Sequence, residues 1–160
     1  MILRTATARD LDALTAVEAA CFPAAEAATR EELAERLRAY GDHFWLLFDG
    51  ETLVSFVDGM VTDLPDLTDE MYADTSFHDE NGAWQMIFGV NTLPAYRKQG
   101  FAGRLLERAI ADAKAQGRKG LVLTCKDRLV HYYAKFGFVN EGVSESVHGG
   151  VTWYQMRLTF

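Results

Sequence analysis

The stretch from Val90 to Leu106, VNTLPAYRKQGFAGRLL, constrains this chain most, because it joins the end of an apolar strand to the start of an amphipathic helix through glycines. Gly100 and Gly103 carry no Cβ, so the backbone there reaches torsions closed to other residues and can come close to a ligand. The first turn of the helix offers N–H groups without intrahelical partners, together with the positive end of the helix dipole. Arg97, Lys98 and Arg104 add side-chain charge at the same place. Such a junction is built to hold phosphate, and it implies an α/β fold.

The rest of the chain agrees with that class. Ile2 to Ala6 reads as a first strand, and Thr7 with Asp10 can cap a helix carrying Leu11, Leu14, Val17 and Cys21 on one face. Thr29 and Glu32 form a capping box for a second helix over about 30–40. A strand from His43 to Phe48, the Asp49-Gly50 turn and a strand from Leu53 to Thr62 make a hairpin. An acidic stretch from Asp63 to Glu80 without Lys or Arg reads as an irregular loop.

Ala83 to Thr92 reads as one strand, with Trp84, Met86, Phe88 and Val90 on one face and Gln85, Ile87, Gly89 and Asn91 on the other. After the glycine junction, Leu105, Leu106, Ala109, Ile110 and Ala113 stripe a helix that Gly117 closes. Gly120 to Cys125 is a buried strand, and Asp127 can cap a helix carrying Leu129, Tyr133 and Phe136, ended by Gly137. Two strands around His148-Gly149-Gly150 close the chain. This order predicts a mixed sheet with helices on both faces.

A length of 160 residues is expected to form one domain, residues 1–160, around one core. The net charge of −7 argues against a nucleic-acid partner, since phosphate backbones attract basic surfaces. No stretch approaches a membrane span and the first residues lack the apolar core of a signal peptide, so no membrane partner and a cytoplasmic address are expected. Cys21 and Cys125 lie far apart without metal-ligand spacing, which predicts free thiols and no metal site.

A Walker loop needs G-x-x-x-x-G-K-[ST] and a dinucleotide fold needs G-x-G-x-x-G after an early strand; QGFAGR is neither. Arg97-Lys98-Gln99-Gly100-Phe101-Ala102 instead resembles the R-x-x-G-x-G/A motif of the GCN5-related N-acetyltransferase (GNAT) superfamily. Tyr133-Ala134-Lys135-Phe136-Gly137-Phe138 stands at its family position. Within the superfamily the chain resembles arylalkylamine (serotonin-type) N-acetyltransferases through DLTDEMY, LTCKDRLVHYYAKFGF and the early CFP.

The resemblance implies a GNAT fold, a mixed twisted sheet of about seven strands flanked by about four helices, with splayed central strands binding acetyl-CoA. It implies that backbone amides of Lys98, Gln99, Gly100, Phe101, Ala102, Gly103 and Arg104 hold the pyrophosphate. Pantetheine would lie along Val90, Asn91 and Thr92, pairing with the backbone at Val90 and Thr92 like an added strand. A backbone N–H near Val90 would stabilise the oxyanion, and Tyr133 would return a proton to the leaving thiolate.

The relatives' two strand histidines are replaced here by Met86 and Phe88, neither of which accepts a proton. Asp69, Glu70, His78 and His148 are the candidate bases, with His43 and His131 weaker. Glu70, Trp84, Phe88 and His148 are the residues expected to line the acceptor, and an acidic, aromatic pocket would suit a protonated small amine with an apolar body, aromatic or a polyamine. A protein or peptide N-acetyltransferase and a non-catalytic CoA-binding module are the alternatives, as monomer or homodimer.

Overall fold

The computed structural model describes residues 1–160. Its strands in chain order are β1 (Ile2–Thr5), β2 (Phe44–Asp49), β3 (Thr52–Asp58), β4 (Val61–Thr62), β5 (Trp84–Ile87), β6 (Gly89–Thr92), β7 (Gly120–Cys125), β8 (Val139–Val143) and β9 (Tyr154–Thr159). The helices are α1 (Leu11–Cys21), α2 (Arg30–Tyr40), α3 (Glu70–Ala73), α4 (Phe101–Ala115) and α5 (Val130–Ala134). Two compact units form: Met1–Gly59 with Gly89–Ala109, and Met60–Phe88 with Ile110–Phe160.

The first unit holds a sheet in the order β1-β2-β3-β6, antiparallel throughout. Gly50 at φ 59° makes the turn between β2 and β3. Leu14, Leu33, Phe44, Leu46, Leu47 and Phe56 are fully buried here, as the helical and strand periodicities require. Both N-terminal caps form. Asp10 accepts the Thr7 N–H at 2.7 Å, and Thr29 and Glu32 bond reciprocally at 3.2 and 3.0 Å.

The second unit holds a sheet in the order β4-β5-β7-β9-β8. Only β5 and β7 run parallel, so the mixed character expected of the whole sheet lies in this unit alone. Nine strands replace the expected seven or so because two predicted strands each divide. The strand over 53–62 ends at Asp58 and resumes as β4, with Gly59 at the break donating its N–H to the His43 carbonyl at 3.3 Å. The strand over 83–92 breaks at Phe88 into β5 and β6.

The acidic stretch is not irregular. Met71 is fully buried and Leu67 nearly so, which folds α3 and a following turn onto the unit. Carboxylates there bond to backbone amides: Asp63 to Ala83 at 3.0 Å and Asp74 to Ser76 at 3.0 Å. The helix expected through Phe136 stops sooner, because Lys135, Phe136 and Gly137 each bond three residues back and tighten the last turn before Gly137 turns away at φ 101°. Asp127 opens the turn before α5 without capping it.

Candidate functional site

In the first unit β6 is the last strand of its sheet. The Ser55 hydroxyl donates to the Asn91 carbonyl at 2.6 Å and the Leu93 N–H donates to the Val54 carbonyl at 2.9 Å, so the backbone groups of these residues face β3. Alternation turns Val90 and Thr92 to the opposite edge, which no strand of this sheet pairs. Asn91 departs from the expected cofactor set: its side chain is fully buried and its carbonyl is engaged inside the sheet. The Thr92 carbonyl accepts from Arg97 Nε at 3.0 Å and Cys21 Sγ at 3.3 Å, which makes Arg97 a brace for the loop.

Beyond this edge the loop meets the requirements of a diphosphate. Lys98 takes φ 63° and Gly100 φ 81°, and left-handed residues within a turn fold successive amides around an anion-binding concavity. Lys98, Gln99 and Gly100 are exposed, and a Cβ on Gly100 would meet nothing within 4 Å. The first helical bond of α4 runs from the Arg104 N–H to the Gly100 carbonyl at 3.1 Å. The N–H groups of Phe101, Ala102 and Gly103 come ahead of it, at the positive end of a long helix, with Arg104 exposed beside them.

Polar groups pack beneath β6 in the same unit. Glu18 of α1 is 5% exposed and accepts the Ala28 N–H at 2.9 Å. Asp58 of β3, the register partner of Gly89, is paired with Arg36 of α2 at 3.2 Å, and both side chains are buried. A Cβ on Gly89 would stand 2.9 Å from Asn91 Nδ2, 3.0 Å from Asp58 Oδ1 and 3.7 Å from Glu18 Oε1, so any larger residue there would press on the ends of these side chains. Burial first, then the Asp58 charge, pushes the Glu18 carboxyl up to about 7. Sequence reasoning passed over this group, although each member interrupts an apolar pattern: Glu18 sits between Leu14 and Cys21, Arg36 between Leu33 and Tyr40, and Asp58 ends an apolar strand.

In the second unit Tyr133 is 6% exposed, edge-on to the rings of Tyr132 at 5.1 Å and Phe138 at 6.2 Å. Burial, reinforced by Cys125 and Tyr132, holds its phenol well above the ordinary tyrosine value. Tyr133 is therefore protonated at neutral pH, fit to donate a proton and unfit to accept one.

The same unit carries a run of rings. Tyr72 meets Phe88 at 4.7 Å and His148 at 4.9 Å; His148 in turn meets Trp153 at 6.1 Å. The Tyr72 hydroxyl is 3.4 Å from Thr124 Oγ1, and Trp153 Nε1 donates to the His148 carbonyl at 2.7 Å. Asp69 accepts from the Ser146 hydroxyl and from the Val147 N–H, holding the loop that presents His148.

Of the expected acceptor residues, Phe88 and His148 come together through Tyr72. Trp84 does not join them: it lies under Arg157, 4.6 Å from ring centre to guanidinium, and Asp66 and Glu141 hold that guanidinium. Glu70 is exposed at the start of α3. Among the candidate bases, Asp69 is a loop anchor and His78 accepts the Val61 N–H through Nδ1 at 3.1 Å. His43 is buried and His131 exposed.

The acetyltransferase (GNAT) domain matches residues 10–160. Among solved structures, the GphF GNAT-like decarboxylase in complex with isobutyryl-CoA is 25% identical with a TM-score of 0.85, covering 99% of each chain. The loading GNATL domain of CurA from Lyngbya majuscula is 18% identical with a TM-score of 0.85 over 99% of this chain and 96% of its own. The ribosomal-protein-S18-alanine N-acetyltransferase from Escherichia coli is 16% identical, with a TM-score of 0.73 over 99% and 92%. The last two share the fold. The α/β architecture, the loop ahead of α4 and the match over nearly all residues agree: this chain belongs to the GNAT acetyltransferase domain family, whose acyl donor is acetyl-CoA.

Proposed function

We propose that this protein transfers an acetyl group from acetyl-CoA to a small primary amine with an apolar, planar body, by direct attack of the amine on the thioester. Acetyl-CoA supplies the activated acyl group and a thiolate leaving group. The amides from Lys98 to Gly103 hold its pyrophosphate, assisted by the Lys98 and Arg104 side chains; the Arg104 N–H is already spent on the Gly100 carbonyl. The Val90 and Thr92 edge of β6 pairs with the pantetheine amides, and the Val90 N–H steadies the oxyanion. As the carbon–nitrogen bond forms and the carbon–sulfur bond breaks, the nitrogen sheds its extra proton to solvent, and the Tyr133 hydroxyl gives its proton to the thiolate and is reprotonated from solvent. The amine enters as the free base, since Met86 and Phe88, on the strand leading into β6, offer no proton acceptor.

One observation carries the donor half of this reading: an unpaired strand edge running directly into a loop of left-handed residues at a helix start. The rings of Phe88, Tyr72, His148 and Trp153 support an acceptor with an apolar face. Thiol release from acetyl-CoA across a panel of tryptamine, phenethylamine, polyamines, amino acids and peptides tests it. Turnover of the arylalkylamines or polyamines, lost in Tyr133→Phe, is expected. Turnover of amino acids or peptides alone sinks the amine assignment, and CoA binding without any thiol release marks a binding module.

A second reading is favoured by the likeness to the GphF GNAT-like decarboxylase together with the lack of a proton acceptor at Met86 and Phe88. Decarboxylation of a carboxyacyl thioester breaks a carbon–carbon bond, sends its electron pair to the enolate, releases CO2 and then takes up a proton. It needs an oxyanion donor and an acid but no base, which suits a protonated Tyr133. Release of CO2 from malonyl-CoA without an acceptor distinguishes it.

A further inference from the structure

Helix α1 touches β6 at two points one turn apart. Cys21 reaches the Thr92 carbonyl at 3.3 Å, and Glu18 lies against Gly89 and Asn91 at the other end of the strand. Between these points stands Val90, whose backbone groups face the unpaired edge together with the Thr92 N–H, while the Thr92 carbonyl is taken by Cys21 and Arg97. At Gly89 no side chain separates the strand from the polar groups beneath it, and even a methyl group there would press on the side-chain ends of Asn91 and Asp58. A change in how Glu18 and Asp58 sit therefore reaches the β6 backbone directly, because close-packed interiors transmit strain.

We propose that Glu18 is a positioning residue for the acyl donor: through Asn91 and the bare Cα of Gly89 it sets where β6 lies, and with it the Val90 and Thr92 edge that pairs with the donor. This inference rests on the donor reading given above. The charges around Glu18 make its state consequential. Asp58 faces it from β3, Asn91 from β6 and Arg36 from α2, with Glu32 and Tyr40 beside Arg36 and Cys21 on the same face of α1. One guanidinium serves two buried carboxylates, so ionised Glu18 repels Asp58, whereas neutral Glu18 accepts the Ala28 N–H through one oxygen and offers the other as a donor. The glutamine amide reproduces the neutral arrangement, with an acceptor and a donor in the same places.

The test is direct titration of CoA into wild type and Glu18→Gln from pH 6 to pH 8.5, read as the ratio of the two dissociation constants, in which the titration of the CoA phosphates cancels. The ratio is expected near one at the acid end and to rise several-fold above neutrality as wild type weakens. The KM for acetyl-CoA should follow the same curve. A flat ratio with intact CoA binding overturns the inference alone; no CoA binding by wild type overturns the donor reading and this inference with it. Should Glu18→Gln fail to fold, the amide shifts of Val90 and Asn91 in wild type replace it: one titration step near neutral pH supports the role of Glu18, and amides that ignore pH overturn it.

Discussion

Tyr72 lies face to face with His148, ring centres 4.9 Å apart and planes 8° from parallel. Two elements distant in sequence supply the rings, and Asp69 ties them together: one turn before Tyr72, it binds Ser146 and Val147, immediately before His148. Replacing Asp69 by Ala leaves the rings in place chemically but frees the loop that aims one of them. Asp69→Ala should raise the KM for the amine about tenfold, a loss of about 1.4 kcal/mol. It should lower stability by about 1–3 kcal/mol, since two bonds to a charged acceptor disappear. Steady-state kinetics with each substrate varied in turn, alongside urea melts, checks this; an equal rise in the KM for acetyl-CoA refutes a role confined to the acceptor.

Tyr133 offers a cleaner separation of chemistry from packing. Its ring fills a place between Tyr132 and Phe138, and phenylalanine keeps that shape while removing only the hydroxyl. Tyr133→Phe should therefore lower kcat roughly 10²–10⁴-fold, the usual worth of a positioned general acid, while leaving the melting temperature nearly unchanged. Single-turnover measurement of thiol release separates this loss from slow product departure. An unchanged kcat would reassign Tyr133 to the core.

Much of this was legible in the sequence where a local signal and the global fold agree. The Thr29–Glu32 box, the stripe of α4 and the extent of β7 follow from periodicity and capping, which act within a few residues. What local pattern could not show was where a strand changes partners. Ala83 to Thr92 reads as one alternating run, yet it divides at Phe88, with β5 pairing with β7 and β6 with β3, partners far away in sequence. The acidic stretch misled for the same reason: Asp66 and Asp69 serve as anchors for Arg157 and the Ser146–Val147 turn, pairings that no local spacing encodes. Glu18, Arg36 and Asp58 broke apolar patterns visibly, but only the fold makes them neighbours.

Gly100 tests the loop itself. It stands at φ 81° with open space where a Cβ would go, so Gly100→Ala meets no steric collision and the cost is that of the left-handed backbone alone, about 1–2 kcal/mol. That cost is met either by holding the strained turn or by relaxing it and turning the amides away from the phosphates. CoA affinity should fall up to about tenfold or somewhat more, with stability lowered by no more than about 2 kcal/mol and the KM for the amine unaffected. Calorimetric titration of CoA checks the first and thermal melts the second. Undiminished CoA affinity would mean that the loop does not carry the pyrophosphate.

Glu18 also makes a prediction about stability whose sign is fixed by its surroundings. Folding raises its carboxyl from 4.5 to about 7, so the native state holds this proton more tightly than the unfolded chain does. Its stabilising share is complete below the unfolded value and is lost as pH rises through about 7, where the buried group must ionise beside Asp58. Each tenfold difference in proton affinity between the two states is worth about 1.4 kcal/mol, so the loss amounts to roughly 3–4 kcal/mol. Glu18→Gln has no charge to bury. It should therefore melt at the same temperature as wild type near pH 5 and several degrees higher at pH 8, with the gap opening between those values. Melting curves of the two proteins across that range decide the point: a variant less stable than wild type at pH 8 would show that ionised Glu18 contributes to the fold through Arg36, rather than destabilising it through Asp58.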